Sequence, residues 1–88
     1  MTIIKKETKK GQNMVESAKR YAGYYLQDVY GSYSQAKKSA WDWCYERYLE
    51  ENGKNFHITG CNRMQFTVAW ETAEGLRIET AYNSYLIK

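Results

Sequence analysis

Proline is missing from all 88 residues, histidine occurs once and cysteine twice. Each scarcity removes a class of explanation. Without proline there is no stiff polyproline spacer and no proline-marked linker between domains. Two cysteines, Cys44 and Cys61, cannot build the multi-bridge framework of a small secreted domain. With His57 as their only imidazole companion they also lack the paired close spacings of a zinc site. No apolar run approaches the roughly 20 residues that cross a bilayer. The opening stretch Met1–Ile4 is far too short for a secretory leader, whose apolar region needs about 7–15 residues. A cytoplasmic protein is therefore expected. The six glycines are scattered and form neither a dinucleotide-binding fingerprint nor a phosphate loop.

Catalysis needs a convergent set of titratable groups, and the chain is equally thin in these. His57 falls between Phe56 and Ile58 on a predicted strand, on its polar side. Cys44 sits in a helical pattern that aims it at the core, where a thiol behaves as a small apolar group. Cys61, in "TGCN", has only Arg63 near enough in sequence to influence it. The expectation is a protein that is not an enzyme, with no metal ligand and no cofactor.

Charge is present but unevenly placed. The formal net charge is +3, yet residues 1 to 20 hold six cations (Lys5, Lys6, Lys9, Lys10, Lys19, Arg20) against Glu7 and Glu16, a surplus of four. The remaining residues therefore sum to −1. Residues 1–10 read as a basic, flexible segment ahead of one domain over 11–88, since about 100 residues is the usual size of a single domain.

What the chain has in plenty is aromatic surface: three tryptophans, nine tyrosines and two phenylalanines. The densest stretch is "SAWDWCYERYLEENG", residues 39 to 53. It belongs to the second of two predicted helices, near 13–30 and 33–52. The first is opened by Asn13 with Glu16, the spacing of a capping box, and carries apolar positions from Met14 to Val29 at intervals of three and four. In the second, Ala36, Ala40, Trp41, Trp43, Cys44, Tyr45, Tyr48 and Leu49 occupy more than half the circumference, which predicts two packing neighbours, and Asn52-Gly53 supplies the stop. After Gly53 the period falls to 2. Met64, Phe66, Val68 and Trp70 alternate with polar or small residues; beyond the turn "TAEG", so do Leu76, Ile78, Thr80 and Tyr82. Residues 84–88 extend the last strand or start another, and Thr2–Ile4 are a further candidate edge strand. The expected fold class is α+β: two N-terminal helices on one face of a three- to four-stranded antiparallel sheet (ααβββ) over residues 55–88, with Trp41, Tyr48, Phe66, Val68, Trp70 and Ile78 buried together.

The other face of that sheet would present Gln65, Thr67, Arg77 and Glu79 with no stacking aromatic, the reverse of an RNA-recognition sheet. Such a flat polar face suits a protein partner. Arg20, Tyr24, Arg63, Gln65, Thr67, Arg77 and Glu79 are the candidate contacts, Tyr24 being the aromatic of the first helix aimed at solvent. The alternative is a nucleic-acid partner held by Lys5, Lys6, Lys9, Lys10 and Lys19.

In its build (under 100 residues, tyrosine-rich, α+β, without catalytic motifs) the chain resembles small accessory proteins encoded by bacteriophages, above all the inhibitors of CRISPR effectors. The segments "FTVAW" and "GLRIETAYNSYLI" look like a phage-type C-terminal hairpin. The resemblance implies a non-enzymatic inhibitor that occupies the surface of a host or viral protein, such as a CRISPR nuclease, in the host cytosol. Many such inhibitors are acidic mimics of DNA. The positive balance here departs from that pattern, so the resemblance implies an allosteric or nucleic-acid-adjacent mode instead, and it assigns no functional residue.

Overall fold

A computed structural model describes residues 1–19, 35–61, 66–80 and 82–88, with the backbone alone for 35–38 and 61. In chain order its elements are strand β1 (Thr2–Ile4), helix α1 (Lys9–Ala18), helix α2 (Gln35–Glu50), and strands β2 (Lys54–Cys61), β3 (Phe66–Glu71), β4 (Leu76–Glu79) and β5 (Ser84–Ile87). All five strands form one sheet in the order β1-β5-β4-β3-β2. The class is α+β, as expected. The candidate edge strand Thr2–Ile4 is present, and the sheet differs from the expected one in strand number, in element order and in being mixed: β1 runs parallel to β5, pairing Ile4 with Ile87, while the other neighbours are antiparallel.

Helix α1 starts at Lys9, not at residue 13, because Thr8 caps it. The Thr8 hydroxyl accepts from the Gly11 N–H at 3.0 Å and donates to the Lys5 carbonyl at 2.7 Å. Gly11 is buried against that same carbonyl, so closely that any side chain there would collide with it. Asn13 and Glu16 lie within the helix and do not open it. Residues 20–34, which include most of the expected first helix, lie outside the described residues. Helix α2 ends as the sequence predicts. Asn52 takes a left-handed φ of 51°, its N–H bonds the Leu49 carbonyl at 3.1 Å, and the Gly53 N–H bonds the Tyr48 carbonyl at 2.9 Å. These two bonds are the Schellman pairing that satisfies the last free carbonyls of a helix. Gly53 is needed there because a Cβ would fall 2.5 Å from the Tyr48 ring and 2.7 Å from the Trp70 ring.

The helices cover opposite faces of the sheet. Trp41 and Tyr48, half-buried, and Cys44, buried, pack from α2 on Ile58, Phe66, Val68 and Trp70. Met14, Val15 and Ala18 of α1 pack on Ala69, Ile78 and Ile87, with Ile4 alongside. Since successive residues of a strand face opposite ways, Val68 and Trp70 on one side and Ala69 on the other place α1 and α2 across the sheet from each other. The expectation of both helices on one face is thus overturned, and Ile78 belongs to a different core from Trp41, Tyr48, Phe66, Val68 and Trp70. Register explains the change. Residues 72–75 join β3 to β4, so Glu71 pairs with Leu76, Trp70 with Arg77 and Val68 with Glu79. Arg77 and Glu79 consequently share the face of the large aromatics, while Leu76 and Ile78 turn to α1.

Candidate functional site

Burial decides the fate of the sheet-face candidates. Arg77 and Glu79 are 2% and 3% exposed, a correction to their expected place on an open polar surface. They are held because they satisfy each other. Arg77 donates from one terminal nitrogen to Glu79 Oε1 at 2.7 Å and from the other to the Tyr85 carbonyl at 3.0 Å. Its Nε lies 3.2 Å from Glu51 Oε1, close enough for an ion pair but not aligned for a hydrogen bond. Trp70 Nε1 donates to the same Glu51 oxygen at 2.9 Å, and the Arg77 guanidinium sits 4.9 Å from the centre of the Trp70 ring. Ser84 Oγ donates to the second oxygen of Glu79 at 2.6 Å. A buried charge paired to a buried carboxylate and hydrogen-bonded through both terminal nitrogens is a structural element, unavailable to an outside ligand. Thr67 is half-buried on the α1 face. Arg20, Tyr24, Arg63 and Gln65 lie outside the described residues.

Reactive groups are no better placed for chemistry. Burial pushes the Cys44 thiol up to about 12; the negative charge of Glu79 adds to this, and Arg77 and Arg47 oppose it. Such a thiol stays protonated and is a poor nucleophile at neutral pH. His57 faces carbonyl oxygens with both ring nitrogens, Ala18 O at 2.5 Å from Nε2 and Asn55 O at 2.7 Å from Nδ1. It ties the end of α1 to β2. Among the described residues no group of His, Cys, Asp and Glu could hold a metal ion, and no helix is long and apolar enough to cross a membrane.

The lysines are what the fold gathers. Residues 1–10, expected as a separate basic segment, supply β1, the Thr8 cap and the first turn of α1, so their lysines stand on regular structure. All of Lys5, Lys6, Lys9, Lys10 and Lys19 are exposed. Two clefts flank α1 and meet at Ala18. One, of about 540 Å³, has Lys9 and Lys10 on its rim with Met14, Thr67 and Ile78 inside. The other, of about 620 Å³, has Lys6, Lys19 and Lys88 on its rim. Lys88 reaches this site because its N–H bonds the Ile4 carbonyl at 2.9 Å, extending the β1–β5 pairing. The carboxylates nearby are Glu7, Glu16 and Glu71; Glu16 and Lys19 are 3.8 Å apart but so exposed that water screens the pair. Sequence reasoning found five of these lysines and missed Lys88, whose role depends on a contact between the two ends of the chain.

Sequence reasoning also missed the exposed apolar residues of α2. Trp43, Tyr45 and Leu49 remain 46%, 44% and 57% exposed. Tyr45 and Leu49 are one turn apart, and Tyr45 lies edge-on to Phe56 with ring centres 5.5 Å apart; Trp43 projects elsewhere on the helix, under the Arg47 guanidinium at 4.8 Å. No protein-family model matches the chain, and no curated protein or solved structure matches it significantly.

Proposed function

We propose that the chain is a non-enzymatic binding protein whose α1 side engages a polyanionic macromolecule, with nucleic acid as the partner of that chemistry. The observation that carries this reading is the convergence of Lys6, Lys9, Lys10, Lys19 and Lys88, from separate stretches of chain, around one helix. Among the described residues neither cleft is lined by an arginine or by a Trp, Tyr or Phe ring, and the His57 ring in the second has both nitrogens against backbone carbonyls. The contacts would therefore go to phosphates without reading bases, and binding would tolerate any sequence. Anisotropy of a labelled oligonucleotide titrated at several salt concentrations tests this. Log K should fall with log salt, and Lys9→Gln combined with Lys10→Gln should flatten the slope by about 1.4–1.8, two phosphates' worth. Salt-independent binding, or a slope the double variant leaves unmoved, sinks the reading.

A second reading is favoured by the exposed Trp43, Tyr45 and Leu49, since aromatic residues dominate the binding energy of protein interfaces. Here the chain is an inhibitor of the CRISPR-effector type and α2 docks on the host protein. Nuclease treatment separates the two. A protein captured by the full chain after nuclease digestion, and released by Tyr45→Ala with Leu49→Ala, supports the inhibitor.

A further inference from the structure

We infer that the larger of the two clefts, beneath the second half of α1, seats a small organic anion: a phosphate or carboxylate carried on an apolar body. The inference rests on the reading of the α1 side as the ligand-facing side, but it concerns a different size of ligand. Three lysines, Lys6, Lys19 and Lys88, stand over a cleft whose lining holds one carboxylate, Glu71; with Glu16, 3.8 Å from Lys19 but outside the lining, the local balance is still positive. Between them the cleft is floored by Val15, Leu76 and Ile87. A bare inorganic ion would leave that apolar floor uncovered, and a neutral apolar molecule would leave the lysines unused. A ligand with both parts uses both. The volume, about 620 Å³, lies within the roughly 300–1,000 Å³ of small-molecule sites.

Two features keep the cleft in shape. The end of α1 is anchored over the cleft by His57 of β2, whose Nε2 lies 2.5 Å from the Ala18 carbonyl, and the partial negative charge of that helix end is opposed by the lysines of the rim. At the opposite wall Gly75, with φ +151°, lies so close to the Ile87 carbonyl that no side chain fits between them. This close approach and the Leu76–Ile87 pairing fix the floor.

Titration with 2-naphthyl phosphate, inorganic phosphate and 2-naphthol, followed by naphthyl fluorescence and by calorimetry, tests the inference. The aryl phosphate should bind at least about tenfold more tightly than either half of it alone. Replacing the three rim lysines together (Lys6→Gln, Lys19→Gln, Lys88→Gln) should weaken it by about tenfold or more at an unchanged melting temperature, as expected for exposed side chains. Lys54→Gln, exposed and outside the cleft lining, should bind as the parent does. Naphthol binding as tightly as its phosphate, or a triple variant indistinguishable from the parent, overturns the site. An oligonucleotide that still binds in that case leaves the macromolecular reading standing. Aryl phosphate binding without oligonucleotide binding keeps the cleft and removes that reading. A 5′-phosphorylated oligothymidylate preferred about tenfold over its 5′-hydroxyl form assigns the anion to a strand end, and equal binding assigns it to a free small molecule.

Discussion

Replacing Arg77 by Met should strongly destabilise this protein. Methionine fills much of the same space, so the loss is chiefly of charge. Glu79, 3% exposed, would keep only the Ser84 hydroxyl at 2.6 Å and would face the interior as an uncompensated carboxylate. Removing one partner of a buried ion pair costs about 3–5 kcal/mol. At about 0.05–0.15 kcal/mol per residue, a chain of 88 residues holds roughly 4–13 kcal/mol in all. Arg77→Met combined with Glu79→Gln removes the stranded charge while leaving an amide oxygen for Ser84. It should be less destabilised than Arg77→Met alone, by at least about 1 kcal/mol, although neutral side chains fill both positions. Urea unfolding followed by tryptophan fluorescence measures these two variants and Glu79→Gln alone. A cost under about 1 kcal/mol for Arg77→Met, or a double variant equal to the sum of the singles, would refute the claim that these charges depend on each other.

Two further outcomes follow from the same core. Because burial raises the Cys44 thiol from 9.0 to about 12, the folded protein keeps a proton that the unfolded chain releases near 9. This contribution is complete below about pH 9 and is lost as pH rises toward 12, at up to about 1.4 kcal/mol per pH unit. The stability of the parent relative to Cys44→Ala should therefore fall across that window, and a flat difference in urea titrations would contradict the burial. Gly53→Ala should cost about 1–3 kcal/mol through overpacking, since its methyl would meet the Tyr48 and Trp70 rings; an unchanged melting temperature would show that the rings give way freely.

Features set by local chemistry were legible in the sequence, and those set by distant pairing were not. Asn52-Gly53 ends α2 because a left-handed residue followed by glycine closes a helix whatever surrounds it. The period of 2 after Gly53 marked the strands for a similarly local reason. Alternation within one strand, however, says nothing about which of its faces matches which face of the next. That depends on the parity of the pairing across the turn. Pairing Glu71 with Leu76 puts odd residues opposite even ones, so Arg77, not Ile78, sits beside the large aromatics. The start of α1 failed differently. Asn13 and Glu16 fit a capping box, whereas Thr8 caps in fact because Gly11 lets the helix approach the Lys5 carbonyl, a contact no local pattern displays.

Composition alone also blurred the site. Polar residues alternating on a strand read as solvated, and Arg77 with Glu79, two positions apart on one face, looks the same in sequence whether water or the protein answers the charges. What distinguishes the cases is the presence of Glu51 and Trp70, which come from the end of α2 and from β3. The lysines show the converse. Their excess near the start was plain, and a loose tail was the natural reading because nothing nearby in sequence could anchor it. The anchor is the other end of the chain: β5 pairs in parallel with β1, and the Lys88 N–H bonds the Ile4 carbonyl. That pairing turns a basic stretch into one rim of a cleft whose other lysines come from the end of α1 and from the end of β5. The lysine cluster and the sheet edge therefore stand or fall together. A change that frees β1, three residues long, should disperse the cations without altering the net charge.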